Sequence, residues 1–162
     1  LVLIAYDGSA DAKAAISEAA KLFPGETVTV LTGWHRFIDT MARMGGGVGV
    51  IVDYDEVDKA TESSAQEQAA EGAKLAADAG LQASAHAAVV ETTLAETILS
   101  EAAAAGAQAV VCGSRGYTGV KSLMLGSVST HVLQHADVPV IVVPSPEVAA
   151  ARAAHRRELL AS

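Results

Sequence analysis

The chain has 162 residues, 51% of them hydrophobic but only 4% aromatic, and a formal charge of −8 at pH 7. That length supports one domain with a core built from Ala, Val, Leu and Ile, and the acidic balance argues against a non-specific nucleic-acid surface. No apolar run approaches the roughly 18 residues a membrane span requires, the single Cys112 excludes an internal disulfide, and no secretory pattern surrounds Leu1, so the expectation is a cytoplasmic protein with no membrane or nucleic-acid partner.

Strand and helix signals alternate along the chain. Residues 1–6 form a continuous apolar run, followed by Asp7-Gly8-Ser9, a turn and helix-cap signature. Residues 11–22 carry a small apolar face and stop at Pro24-Gly25, and residues 27–31 are a second, β-branched run. Residues 33–52 show no regular pattern and include Gly45-Gly46-Gly47-Val48-Gly49. They read as a mobile loop, with a flap over a ligand as the sharper alternative. Residues 53–79, rich in Ala, Glu, Gln and Lys, predict a long helix stopped by Gly80. A weaker strand follows over 81–89, then a helix capped by Thr92 or Thr93 and running to Ala105, with Gly106 after it. The fourth strand is expected at 108–112 and the fifth at 138–143. Pro144-Ser145-Pro146 reads as a linker and 148–160 as a terminal helix, so the domain is 1–144 and the linker with its helical tail 145–162.

One helix between each pair of strands implies parallel strands: an α/β, Rossmann-like doubly wound sandwich with a five-stranded parallel sheet and helices on both faces. Ligands in such sheets lie beyond the carboxyl ends of the strands, where the strand order reverses. Asp7, the region of Gly33, and Gly113 all fall at those ends.

The most informative stretch runs from Gly113 to Ser129. Gly113 and Gly116 leave the end of the fourth strand, and Gly126-Ser127 opens a helix through Val128 and Ser129. Glycines let backbone approach a ligand closely, and a helix start supplies unpaired N–H groups and a positive dipole end. The combination reads as a phosphate cradle. It is not a P-loop, because Gly119-Val120-Lys121-Ser122 interposes Val120. Nor is it a dinucleotide fingerprint: Gly47-x-Gly49 lacks a third glycine and does not follow the first strand.

What does match is Gly-x2-Gly-x9-Gly-Ser at Gly113, Gly116, Gly126 and Ser127, together with the opening residues 3–9 and the closing residues 135–143. These blocks resemble the ATP-binding type of the universal stress protein family over residues 1–144. The resemblance implies a stress-response regulatory protein that binds ATP, or alternatively ADP, AMP or a cyclic nucleotide, with Mg²⁺ entering only together with the nucleotide. It implies that Asp7 contacts the nucleoside and that backbone near Gly33 meets adenine. Gly113, Arg115 and Gly116 would line ribose and phosphates, and Gly126, Ser127, Val128 and Ser129 would hold phosphates. Ser129 stands where Thr is also frequent. Ala5 stands where some binders carry proline, which bears only on adenine packing. The resemblance also implies a homodimer through the edge strand, Val138 to Val143, whose apolar, uncharged character is a liability unless it is paired or covered by the tail helix.

Other residues read more plainly. Cys112, inside an apolar strand, is expected to be an inert core thiol. His131 and His135 share a helix face without a third ligand, so no metal site is expected, and Trp34 reads as packing against the long loop. Arg115 is a better phosphate partner than Lys121. With Asp7 the only obvious acid near the cradle, no catalytic residue is assigned and binding is favoured over turnover. A slow Mg-dependent ATPase and a nucleotide-free dimeric scaffold are the alternatives.

Overall fold

The computed structural model describes residues 1–45, 53–116 and 124–161. In chain order the elements are β1 (Val2–Ala5), α1 (Ala10–Leu22), β2 (Thr27–Trp34), α2 (Phe37–Arg43), α3 (Tyr54–Asp78), β3 (Gln82–Val89), α4 (Leu94–Ala104), β4 (Ala109–Gly113), α5 (Ser127–His135), β5 (Val140–Val143) and α6 (Pro146–Ala161). The strands form one parallel sheet in the order β3-β2-β1-β4-β5. The chain winds outward from β1 through β2 to β3, then returns to start again at β4 beside β1. The reversal therefore lies between β1 and β4, as the doubly wound expectation requires.

Each face of the sheet carries its own apolar layer. On one, Val2, Ile4, Val28, Val30 and Val111 meet Ala12, Ala15, Ile16 and Ala19 of α1 and Ala76 of α3. On the other, Leu3, Leu31 and Val110 meet Ala95, Ile98 and Ala102 of α4 and Val132 of α5. With so few aromatics the helices must come close to the sheet. In α3 the buried stripe is Ala65, Ala69, Gly72 and Ala76. A Cβ on Gly72 would stand 2.8 Å from Tyr6 and from Val30, so nothing larger fits.

Local chemistry sets most boundaries. Ser9 Oγ accepts from the Ala12 amide at 3.1 Å to start α1, Asp53 caps α3 and Thr93 caps α4. Gly80 (φ +94°) and Gly106 (φ +62°) take the left-handed conformation just past α3 and α4.

Three expectations need correction. β2 runs on to Trp34, so Gly33 lies inside the strand and not beyond it. The segment after it is not uniformly irregular, because α2 forms over Phe37–Arg43. Its cap comes from afar: the Phe37 amide donates to Asp58 Oδ1 of α3 at 2.6 Å. Arg43 donates to the Thr92 carbonyl at 3.0 Å and Arg36 lies 3.2 Å from Glu91, tying the same segment to the α4 entrance. Finally, Pro146 is the first residue of α6 and not part of a linker. Proline suits that position, where its missing N–H would have no helical partner. The glycine run of residues 46–49 and Lys121 lie outside the described residues.

Candidate functional site

The strand-order reversal opens a cavity of about 330 Å³ at the carboxyl ends of β1, β2 and β4. All ten residues singled out from the sequence line it: Ala5 and Asp7 after β1, Gly33 of β2, Gly113, Arg115 and Gly116 after β4, and Gly126, Ser127, Val128 and Ser129 at the start of α5. Residues not foreseen complete the wall, among them Thr32, Gln68 of α3, and Leu94 and Ile98 of α4.

One end is polar. Gly126, with φ −69° and ψ 161°, is the N-cap of α5 and offers no side-chain cap, unlike Ser9, Asp53 and Thr93 on their helices. The first-turn amides of Ser127, Val128 and Ser129 have no partner within the helix and stand at the cavity wall. Ser127 is exposed, whereas the Ser129 hydroxyl is buried and turned inward, 3.1 Å from the Ser114 carbonyl and 3.0 Å from that of Gly126. Ser129 thus offers its amide to a ligand more readily than its hydroxyl.

The glycines serve different ends. A Cβ on Gly113 would lie 2.8 Å from the Asp11 Cβ and 3.0 Å from the Ala12 nitrogen, so this glycine is required by the close approach of α1. A Cβ on Gly116 would lie 2.9 Å from Asp7 Oδ2, which places the Asp7 carboxylate against the loop. At Gly126 the nearest atoms are 3.5 Å away, and space is not the constraint.

The apolar part of the lining comprises Ala5, Leu31, Leu94, Ile98 and Cys112. A Cβ on Gly33 would run into Leu94 and Val90. Burial pushes the Cys112 thiol up to about 11, so it stays protonated and unreactive near neutrality. Asp7 is braced twice: Oδ1 accepts from the Ser9 amide at 3.0 Å, and its carbonyl accepts from Gln68 Nε2 at 3.0 Å. Thr32 Oγ1 donates to the Tyr6 carbonyl at 2.9 Å. Behind the wall the Tyr6 hydroxyl donates to Glu71 at 2.9 Å. Burial first, then that bond and the Glu71 charge, hold Tyr6 well above the usual phenol range. The same bond, followed by Lys13, draws Glu71 below the usual carboxylate range.

Away from the cavity, His131 and His135 stack with ring centroids 4.1 Å apart, and His131 Nε2 lies 2.8 Å from Glu96. Among the described residues no three His, Cys, Asp or Glu side chains are arranged to hold a metal ion. No described helix is long and apolar enough to cross a membrane. Trp34 ends β2 opposite Val89 and does not line the cavity.

Residues 1–144 match the Universal stress protein family. A curated relative, universal stress protein YxiE of Bacillus subtilis (strain 168), is 31% identical over 145 residues, covering 88% of this chain and 97% of its own. Among solved structures, hypothetical protein MJ0577 superimposes with a TM-score of 0.70 at 23% identity, over 88% of this chain and 94% of that one. The universal stress protein from Archaeoglobus fulgidus in complex with dAMP superimposes with a TM-score of 0.55 at 22% identity, over 88% and 95%.

Proposed function

This chain belongs to the universal stress protein family, and from that premise we propose that it is an ATP-binding regulatory protein of the stress response, acting as a cytoplasmic homodimer. The observation that carries the reading is the start of α5: a helix N-terminus without a side-chain cap, at a cavity that is also lined by apolar side chains. Uncapped amides and the positive end of the helix dipole suit phosphate oxygens. The apolar lining residues Ala5, Leu31, Leu94 and Ile98 suit a base. The cavity volume falls within the range of small-molecule sites.

Asp7 is the one carboxylate among the described residues on the cavity wall, so Mg²⁺ would enter bound to the nucleotide's own phosphates. ADP, AMP and cyclic nucleotides share the base and the first phosphate with ATP, and the Archaeoglobus fulgidus relative was solved with a monophosphate. Their rank is a matter for competition experiments. Nucleotide occupancy would then set conformation or partner choice. The position of Asp7 against Gly116 favours one second reading, slow Mg-dependent hydrolysis. Phosphate release that disappears in Asp7→Asn supports it, and no release from wild type removes it.

The test is mass-spectrometric identification of nucleotide released from freshly purified protein, with calorimetry on wild type and Ser127→Asp. An acid in the first turn favours the helix dipole, so the variant should melt no lower than wild type. It should bind ATP more than about tenfold more weakly, through like-charge repulsion at the phosphates. A wild type that carries no nucleotide and gives no heat with ATP–Mg²⁺ overturns the reading in favour of a nucleotide-free scaffold.

A further inference from the structure

The phosphate loop is held by a carboxylate outside the family motif. Asp11, in the first turn of α1, is 5% exposed, and its Oδ2 accepts from the Ser114 hydroxyl at 2.6 Å and from the Arg115 amide at 3.1 Å. Ser114 is fully buried and joins both arms of the loop. Its carbonyl accepts from the Gly126 amide at 2.8 Å and lies 3.1 Å from the Ser129 hydroxyl. One buried carboxylate therefore fixes the arm leaving β4, and through Ser114 the arm entering α5.

A buried carboxylate needs compensation beyond neutral donors. A cation comes nearest from α6, which lies beyond the family-matching residues 1–144. There Arg152 Nη2 lies 3.5 Å from Ser114 Oγ, the same hydroxyl that donates to Asp11, so the guanidinium reaches Asp11 through Ser114 and not as a direct ion pair. The helix is seated for this: Val148 is 3% exposed and Ser145 4%, and the Ser145 carbonyl accepts from the Ala149 amide at 2.9 Å.

We propose that Asp11 is a positioning residue for the phosphate loop and that Arg152 reinforces it, so the C-terminal helix sets how tightly phosphate is held. The affinity part of this inference rests on the nucleotide reading above. The geometric part, that Asp11 and Arg152 pin the loop, does not.

The experiment compares full-length wild type, Asp11→Asn, Arg152→Gln and Arg152→Lys. Calorimetry with ATP and with adenosine is paired with amide hydrogen exchange at Ser114 and Arg115 in the absence of nucleotide. Asp11→Asn should lower ATP affinity by about tenfold, the scale of one hydrogen bond to a buried charge, and leave adenosine affinity unchanged. Arg152→Gln should lower it less, with Arg152→Lys restoring part of the loss. In both Asp11→Asn and Arg152→Gln the two loop amides should exchange faster. Unchanged ATP affinity in these two variants, or equal losses for ATP and adenosine, overturns the proposal. Should Asp11→Asn fail to fold, Arg152→Gln decides alone, since its side chain is half-buried at the surface. A wild type that binds neither ligand sinks the nucleotide reading and the affinity claim. Exchange then still tests the pinning: unaltered protection in the variants overturns it.

Discussion

A glycine in a motif is easily credited to the ligand, but at Gly113 the neighbouring atoms belong to α1. Asp11 and the Ala12 nitrogen fill the space a side chain would need, and backbone there cannot step aside as a flexible side chain could. Gly113→Ala should therefore destabilise the fold by about 1–3 kcal/mol, the usual cost of overpacking, as read by urea unfolding. A loss below about 0.5 kcal/mol would show that α1 shifts freely. Loss of nucleotide binding in that variant would be no measure of ligand contact. Ser127→Asp is the cleaner probe, because it changes charge at the cavity mouth on an exposed residue. The same distinction explains which site residues can be read from sequence. Gly113, Arg115, Gly116 and Gly126 to Ser129 are contiguous or nearly so, and their spacing is itself the signal. Gln68 meets Asp7 across 61 residues, and Leu94 packs on Gly33 from a helix equally distant in the chain. Nothing local distinguishes that glutamine or leucine from others on their helices.

At the scale of elements, the helices with local caps and glycine stops are legible because the atoms that end them lie within a few residues of the ends. Ser9, Asp53, Thr93, Gly80 and Gly106 are of this kind. The short helix α2 is different. Arg36 stands at its N-cap and supplies no side-chain acceptor, so the sequence shows only a segment without a regular pattern. Its acceptor, Asp58, is 21 residues away and arrives only once α3 is packed. A seven-residue helix is too short to persist alone, so α2 should depend on that bond. Asp58→Ala is expected to lower global stability by about 0.5–2 kcal/mol, the cost of a lost cap, and to raise amide exchange over Phe37–Arg43 while leaving α3 protected. Unchanged exchange there would mean that the Arg43 and Arg36 contacts suffice. The start of α6 at Pro146 has a related cause: proline in sequence signals a break, yet the same fixed φ serves as a first helical residue.

For the whole molecule, the order β3-β2-β1-β4-β5 leaves two edges of unlike character. β3 carries Gln82, Ser84 and His86 exposed along its length, a polar edge that resists pairing. β5 reads Val140-Ile141-Val142-Val143 with no charge. The Val110 amide donates to the Pro139 carbonyl at 2.9 Å and the Ser114 amide to that of Val143 at 2.7 Å, so the odd-numbered residues of this strand turn their polar groups towards β4. In an extended strand these groups alternate sides, which directs the N–H and C=O of Val140 and Val142 to the open edge. Pro139 thus lacks its donor on the β4 side, just ahead of the strand, where the loss is tolerated. If the proposed homodimer forms by pairing β5 with its copy, the Val142 amide is among the donors it uses. Val142→Pro removes that donor without touching the bonds to β4. The variant should keep its circular dichroism spectrum and sediment as a monomer at concentrations where wild type is a dimer. A variant of unchanged mass would place the dimer contact elsewhere. A wild type that is itself monomeric would mean that the edge is covered within one chain, with α6, which starts three residues after Val143, the element nearest to hand.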